Sequence, residues 1–182
     1  YLYFSIFLYD LISMEKSHLS YSIWGNFENK TKLYLEKLKN KVNDSFKGPK
    51  FPIHLTISSH FKGKKIEIIK KLNLASKKIK KFTIETNNYD FRKKFFQSIF
   101  IKVKLSKQLK SKKKLIDELL NAKKTFYHPH ISLHYGNLSN TDKKKIISNL
   151  NSYKKKIKIV EIWFVKNNEK KLKWKIIKKF KL

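Results

Sequence analysis

The sequence predicts an α+β fold of two related lobes, pseudo-symmetric about a central cleft, with antiparallel sheets facing the cleft and helices outside. Three observations predict it. Apolar residues recur with a period near two and a period near 3.6 in turn, in the order β-α-β-α-β-β-α-β-α-β-β. A strand reading His, apolar, hydroxyl, apolar occurs twice, as His54-Leu55-Thr56-Ile57 and His130-Ile131-Ser132-Leu133. A strand and a helix lead into the first copy and a helix leads into the second, so the back of the chain echoes the front. At 182 residues and 41% hydrophobic, the chain has the length and the apolar material for one such domain.

Each element has a local reason. Residues 19–25 are a short β-type run ending at Gly25. In residues 29–46, Leu33, Leu35, Leu38, Val42 and Phe46 recur at near-helical spacing with lysines between them, and Gly48-Pro49 ends the helix. Residues 51–59 alternate strictly and predict a strand; residues 67–81 are a second amphipathic helix. Residues 82–89 and 94–105 read as two strands of a hairpin, and 107–123 as a third helix. Residues 126–135 predict a strand closed by Gly136-Asn137. Ser139 or Thr141 caps a helix over 139–149, ahead of Ile146, Ile147 and Leu150. Residues 156–165 and 172–182 are two final strands around Asn167-Asn168.

Composition narrows the classes of function. There is no cysteine, which excludes a disulfide framework, a thiolate metal site and a cysteine nucleophile. No apolar run reaches the length of a membrane span, so a cytoplasmic monomer without membrane contact is expected. The formal charge of +31 would attract a polyanion, yet Arg92 is the single arginine; a lysine excess of this kind reads mainly as solvated faces. The first residue is not Met and the one methionine is Met14. Residues 1–13 are therefore expected to be a non-native upstream extension, with 14–182 forming a single two-lobed domain. The alternative is an extra helix or strand covering an apolar face.

The chemistry lies in the repeated tetrapeptide. Residues two apart on a strand share a face, so His54 and Thr56 point one way while Leu55 and Ile57 point into a core; His130 and Ser132 repeat the arrangement. Two such polar walls enclose a pocket suited to a cyclic phosphodiester. One imidazole takes a proton from water, the other gives one to the leaving ribose oxygen, and the hydroxyls donate to the phosphate oxygens. His130 reads as the base and His54 as the acid, with the reverse assignment as the alternative. Carboxylates are scarce near both motifs, so neither metal nor cofactor is expected. A zinc site at His128, His130 and His134 is the alternative, but Pro129 and the strand alternation disfavour the helix it would need, and no H-E-x-x-H carboxylate is present. His60, His128 and His134 read as incidental, and His18 is uninformative. A single such tetrapeptide would more simply be a half-buried strand histidine; two on matching strands favour chemistry.

The paired tetrapeptides resemble the signature of the 2H phosphoesterase superfamily, most nearly the plant- and yeast-type 2′,3′-cyclic nucleotide phosphodiesterases. Tyr21-Ser22-Ile23-Trp24 is similar to the family's first strand, Phe95-Phe96-Gln97-Ser98-Ile99-Phe100 to its central strand, and Pro129-His130-Ile131-Ser132-Leu133-His134-Tyr135-Gly136 to its second motif segment. Trp174, followed by the terminal Leu182, resembles its closing strand. The resemblance implies a 2H phosphoesterase-like fold and metal-independent hydrolysis of 2′,3′-cyclic nucleotides or of ADP-ribose 1″,2″-cyclic phosphate, with opening to the 2′-phosphate in the nucleotide case. It implies a catalytic pair at His54 and His130, phosphate contacts from Thr56 and Ser132, and cleft walls at Trp24 and Tyr135. Trp24 reads equally as a core anchor. Tyr135 needs a bend to reach the face of Ser132, whereas His134 shares that face in a regular strand and would border the site. The alternatives are an RNA 2′,5′-ligase or end-processing phosphodiesterase acting on RNA ends, and a non-enzymatic RNA-binding module.

Overall fold

The computed structural model describes residues 19–44 and 46–182; the extension expected at 1–13 and His18 lie outside them. The elements are β1 (Leu19–Phe27), α1 (Asn29–Asn43), β2 (Leu55–Phe61), α2 (Lys65–Lys78), β3 (Phe82–Phe91), a 3-10 turn (Phe95–Gln97), β4 (Ile99–Val103), α3 (Lys107–Leu120), β5 (His130–His134), α4 (Asn140–Ser148), β6 (Lys156–Asn168) and β7 (Lys173–Lys181). The α+β order is as predicted. Ser139 is the cap of α4, its Oγ accepting from the Asp142 amide at 3.0 Å, and Ser106 caps α3 in the same way.

Several predicted strands differ in extent: the one expected at 51–59 runs over Leu55–Phe61, so that His54 lies just ahead of it, the one expected at 156–165 runs on to Asn168, and two more are shortened. Residues 94–97 are not strand: the Gln97 amide turns back to the Lys94 carbonyl at 3.0 Å and the Arg92 amide reaches the Gln97 carbonyl at 3.0 Å, closing a 3-10 turn ahead of β4. The strand expected at 126–135 covers only its last half, because pairing with β4 begins at Lys102↔His130 and Pro129 has no amide to extend it.

The sheets of the two lobes are joined in one seven-stranded antiparallel sheet of order β1-β2-β5-β4-β3-β6-β7, with β1 also pairing with β6. Six strands thus form a closed ring. The 13-residue β6 makes closure possible: it pairs with β1 along one edge and with β3 and then β7 along the other. The weakest link is β2 to β5, a single bridge at Leu55↔Ile131.

The helices cover the ring in a crossed fashion. α1 precedes β2 yet packs on β5, and α3 precedes β5 yet packs on β2. Leu35, Leu109 and Ile116 on these helices and Leu55, Ile57, Ile131 and Leu133 on the strands are fully buried in one apolar cluster. Truncating any of them to Ala costs roughly 2–5 kcal/mol. Among the described residues no helix is long and apolar enough to cross a membrane.

Candidate active site

The site forms where the ring is thinnest. Leu55 and Ile131, the β2–β5 bridge, both face the core. Their strand neighbours therefore face the other way. The pairing is antiparallel, which sets His54 opposite Ser132 and Thr56 opposite His130. A cleft of about 330 Å³ opens over this junction, with His54, Thr56 and His130 in its wall.

His54 sits one residue before β2, where ladder bonds have not begun. Side chains satisfy this backbone instead: the Ile53 amide donates to Glu36 Oε1 at 2.9 Å, Asn26 Nδ2 donates to the Ile53 carbonyl at 3.2 Å, and Lys39 Nζ donates to the Phe51 carbonyl. The imidazole is then oriented by its own backbone, with Nδ1 2.7 Å from the Pro52 carbonyl. A carbonyl only accepts, so Nδ1 carries the hydrogen and Nε2 is left to the cleft. His130 repeats this device: its Nδ1 lies 2.7 Å from the His128 carbonyl, again two residues back. Both motifs thus present Nε2 to one cavity.

Burial holds both imidazoles neutral near pH 7. Burial pushes His54 down to about 3; the Pro52 hydrogen bond opposes this, and His130 and Lys39 add repulsion. Burial likewise pushes His130 down to about 4, opposed by the His128 carbonyl and aided by repulsion from His128 and Arg92.

Trp24 is both cleft wall and anchor. It is 3% exposed, lines the cleft, and stacks face to face on His54 with centroids 3.5 Å apart and planes 8° apart. Tyr135 also lines the cleft, although it follows Ser132 by three residues. A β-bulge explains this. Lys102, Ile101 and Phe100 pair with His130, Ile131 and Ser132 in strict register, then Ile99 pairs with His134. The extra residue exchanges the faces, carrying Tyr135 to the side of Ser132 and His134 to the opposite side. Burial raises the Tyr135 hydroxyl, with the neighbouring Ser132 opposing, so it stays protonated.

His134 therefore does not border the cleft. It is 1% exposed, with Nδ1 2.7 Å from Asn43 Oδ1. The bulge also separates His134 from His128 and His130, and among the described residues no three His, Asp or Glu side chains converge. Ser132 is only partly placed as expected: it is 4% exposed and its Oγ donates to the Phe96 carbonyl at a long 3.3 Å.

Several wall residues escaped the sequence reading. His60, read as incidental, lines the cleft with Glu169 3.5 Å from its Nε2. Asn167, in the predicted last turn, reaches the wall through β6 and is held by a 3.0 Å bond from Ser22 Oγ. Trp174 and Phe96 close the aromatic end around Tyr135, with centroids 5.6 and 5.3 Å from it.

Comparison with known proteins identifies the family and the fold. The cyclic phosphodiesterase-like protein family matches residues 22–182. No curated protein sequence matches the chain. Escherichia coli LigT complexed with ATP superposes with a TM-score of 0.56 at 12% identity, covering 89% of this chain and 96% of LigT. LigT complexed with 3′-AMP gives 0.57 at 12% identity, covering 91% and 98%. TT0787 of Thermus thermophilus gives 0.58 at 15% identity, covering 90% and 97%. These identities speak to the fold, whereas the family match runs from β1 to the last residue. The chain belongs to the cyclic phosphodiesterase-like family, within the 2H phosphoesterases, and is a phosphodiesterase.

Proposed function

We propose that the cleft hydrolyses 2′,3′-cyclic nucleotides or ADP-ribose 1″,2″-cyclic phosphate by acid–base catalysis at His54 and His130, without a metal. The observation that carries this is the matched suspension of the two imidazoles, each fixed through Nδ1 to the carbonyl two residues back, with Nε2 toward one cavity. Neutral His130 takes a proton from water as its oxygen bonds to phosphorus. Protonated His54 gives its Nε2 proton to the ribose oxygen as that P–O bond breaks, the 3′-oxygen when the product is the 2′-phosphate. Product leaves with the protonation states reversed, His130 charged and His54 neutral, and solvent exchange resets the pair.

Burial alone leaves His130 the more basic of the two; against it, Trp24 supports His54 as the acid, since an aromatic face favours a cation stacked on it. The bound phosphodiester anion favours the imidazolium further. Thr56 in the wall and Ser132, after release from the Phe96 carbonyl, donate to the equatorial oxygens.

The test is turnover of a panel of nucleoside 2′,3′-cyclic phosphates and ADP-ribose 1″,2″-cyclic phosphate with EDTA present. Hydrolysis unaffected by EDTA is expected. Activity lost to the chelator and restored by zinc, or no turnover of any member, overturns the proposal.

A further inference from the structure

The cleft does not end at the reacting phosphate. His130 and Thr56 also belong to a second groove of about 310 Å³, lined further by Arg92, Lys94, Phe126 and His128. Arg92 is the only arginine among 44 basic residues. A lysine-biased surface explains lysines anywhere; it does not explain one guanidinium placed beside the cleft. That fork fits two phosphate oxygens at once, which an ammonium cannot do.

The groove is built to hold Arg92 in place. The 3-10 turn fixes its amide on the Gln97 carbonyl at 3.0 Å, and Lys143 Nζ donates to its carbonyl at 3.0 Å. Its Nη1 donates to Gln97 Oε1 at 3.3 Å, which leaves further N–H donors for a ligand. The nearby carboxylates are engaged elsewhere, Asp90 with Lys102 at 3.8 Å and Asp117 with Lys113 at 2.6 Å. Phe126 stands at the rim 89% exposed, an open aromatic face.

We propose that this groove is a second anion subsite, taking the phosphoryl group on the 5′-oxygen of the same ribose whose cyclic phosphate is opened. This rests on the hydrolytic reading of the cleft. On such a substrate the two anions are one ribose apart, and the two cavities share Thr56 and His130 in their walls. A nucleoside 2′,3′-cyclic monophosphate lacks the second group. Two substrates carry it: an RNA 3′ end, through its last internucleotide phosphate, and ADP-ribose 1″,2″-cyclic phosphate, through its pyrophosphate.

Binding to the full chain, by calorimetry at fixed ionic strength, tests the groove without turnover. Adenosine 2′,5′-bisphosphate binds about ten- to a hundred-fold more tightly than adenosine 2′-phosphate, the worth of a charge-assisted pair. Arg92→Gln brings that ratio close to one, whereas the charge-matched control Lys77→Gln on α2 leaves it unchanged. Equal affinities in the parent protein, or an equal loss in the control, overturn the subsite. Kinetics then identify the source. A gain in kcat/KM over adenosine 2′,3′-cyclic phosphate for a cyclic-phosphate-ended dinucleotide, reduced by Phe126→Ala, assigns RNA ends; a gain for ADP-ribose 1″,2″-cyclic phosphate alone assigns the dinucleotide. A gain for neither overturns the subsite. Selective bisphosphate binding with no hydrolysis at all overturns the hydrolytic reading and upholds the anion site.

Discussion

Acidity separates the free enzyme from its complex. In the free enzyme burial draws His130 down to about 4 and His54 to about 3. At pH 7 about one molecule in a thousand carries a proton on His130, and fewer on His54. The mechanism needs one imidazolium, and kcat/KM reports the free enzyme. Above the higher of the two values each pH unit removes about nine-tenths of the competent form, so kcat/KM falls about a hundredfold between pH 5 and 7. The bound phosphodiester anion raises both imidazoles, and kcat peaks at higher pH than kcat/KM. The limbs belong to the coupled pair, since His130 contributes to the shift at His54. The assay is initial rates with uridine 2′,3′-cyclic phosphate at constant ionic strength, with circular dichroism at each pH to confirm folding. A kcat/KM that is flat or rising from pH 5 to 7 refutes the reasoning, as does a kcat optimum no higher than that of kcat/KM.

His54→Ala and His130→Ala each lower kcat by about 10²–10⁴-fold while the circular dichroism spectrum is retained; near-parental turnover by either removes that imidazole from the reaction. Trp24→Leu moves the alkaline limb of the kcat profile down by about one pH unit, because the aromatic face that favours the His54 cation is gone, and Trp24→Phe restores most of it; an unmoved limb reduces Trp24 to packing. Unfolded imidazoles take up protons below about pH 6.5 while folded His130 and His54 resist to about 4 and 3, so the unfolded state binds more protons and stability falls as pH drops through this window. The loss reaches roughly 3–5 kcal/mol per imidazole at its fullest. His130→Asn flattens the decline in urea midpoint between pH 6.5 and 4.5; an unchanged slope contradicts the burial of that imidazole.

The repeated tetrapeptide was legible because strand alternation alone puts His and hydroxyl on one face, and the helices because Leu35, Val42, Leu109 and Ile116 keep their spacing whatever packs on them. Tyr135 and His134 were not placeable from alternation, since the bulge that exchanges their faces is a property of the pairing between β4 and β5. Phe95, Phe96 and Gln97 look like strand residues by composition and become a turn through the bond between Gln97 and Lys94. Asn167 and Trp174 reach the cleft through the far end of β6 and its partner β7, and His60 from the far end of β2, none of which the local pattern shows. Arg92 was weighed as a count in the sequence; its meaning is its position.

The crossed helices have a consequence for how the molecule comes apart. A seam held by a single bridge would ordinarily be the first part of a sheet to open, and amides beside it the first to exchange with solvent. Here the seam is riveted from behind: α1 reaches over to β5 and α3 to β2, so the strands cannot separate without stripping both helices. Opening at Leu55 and Ile131 is thereby tied to loss of the whole core, and the β2 and β5 amides belong to the slowest-exchanging cooperative unit. Neither half of the chain can cover its own histidine strand, so two separated fragments would have to fold upon each other, and catalytic geometry would arise only in the reassembled pair.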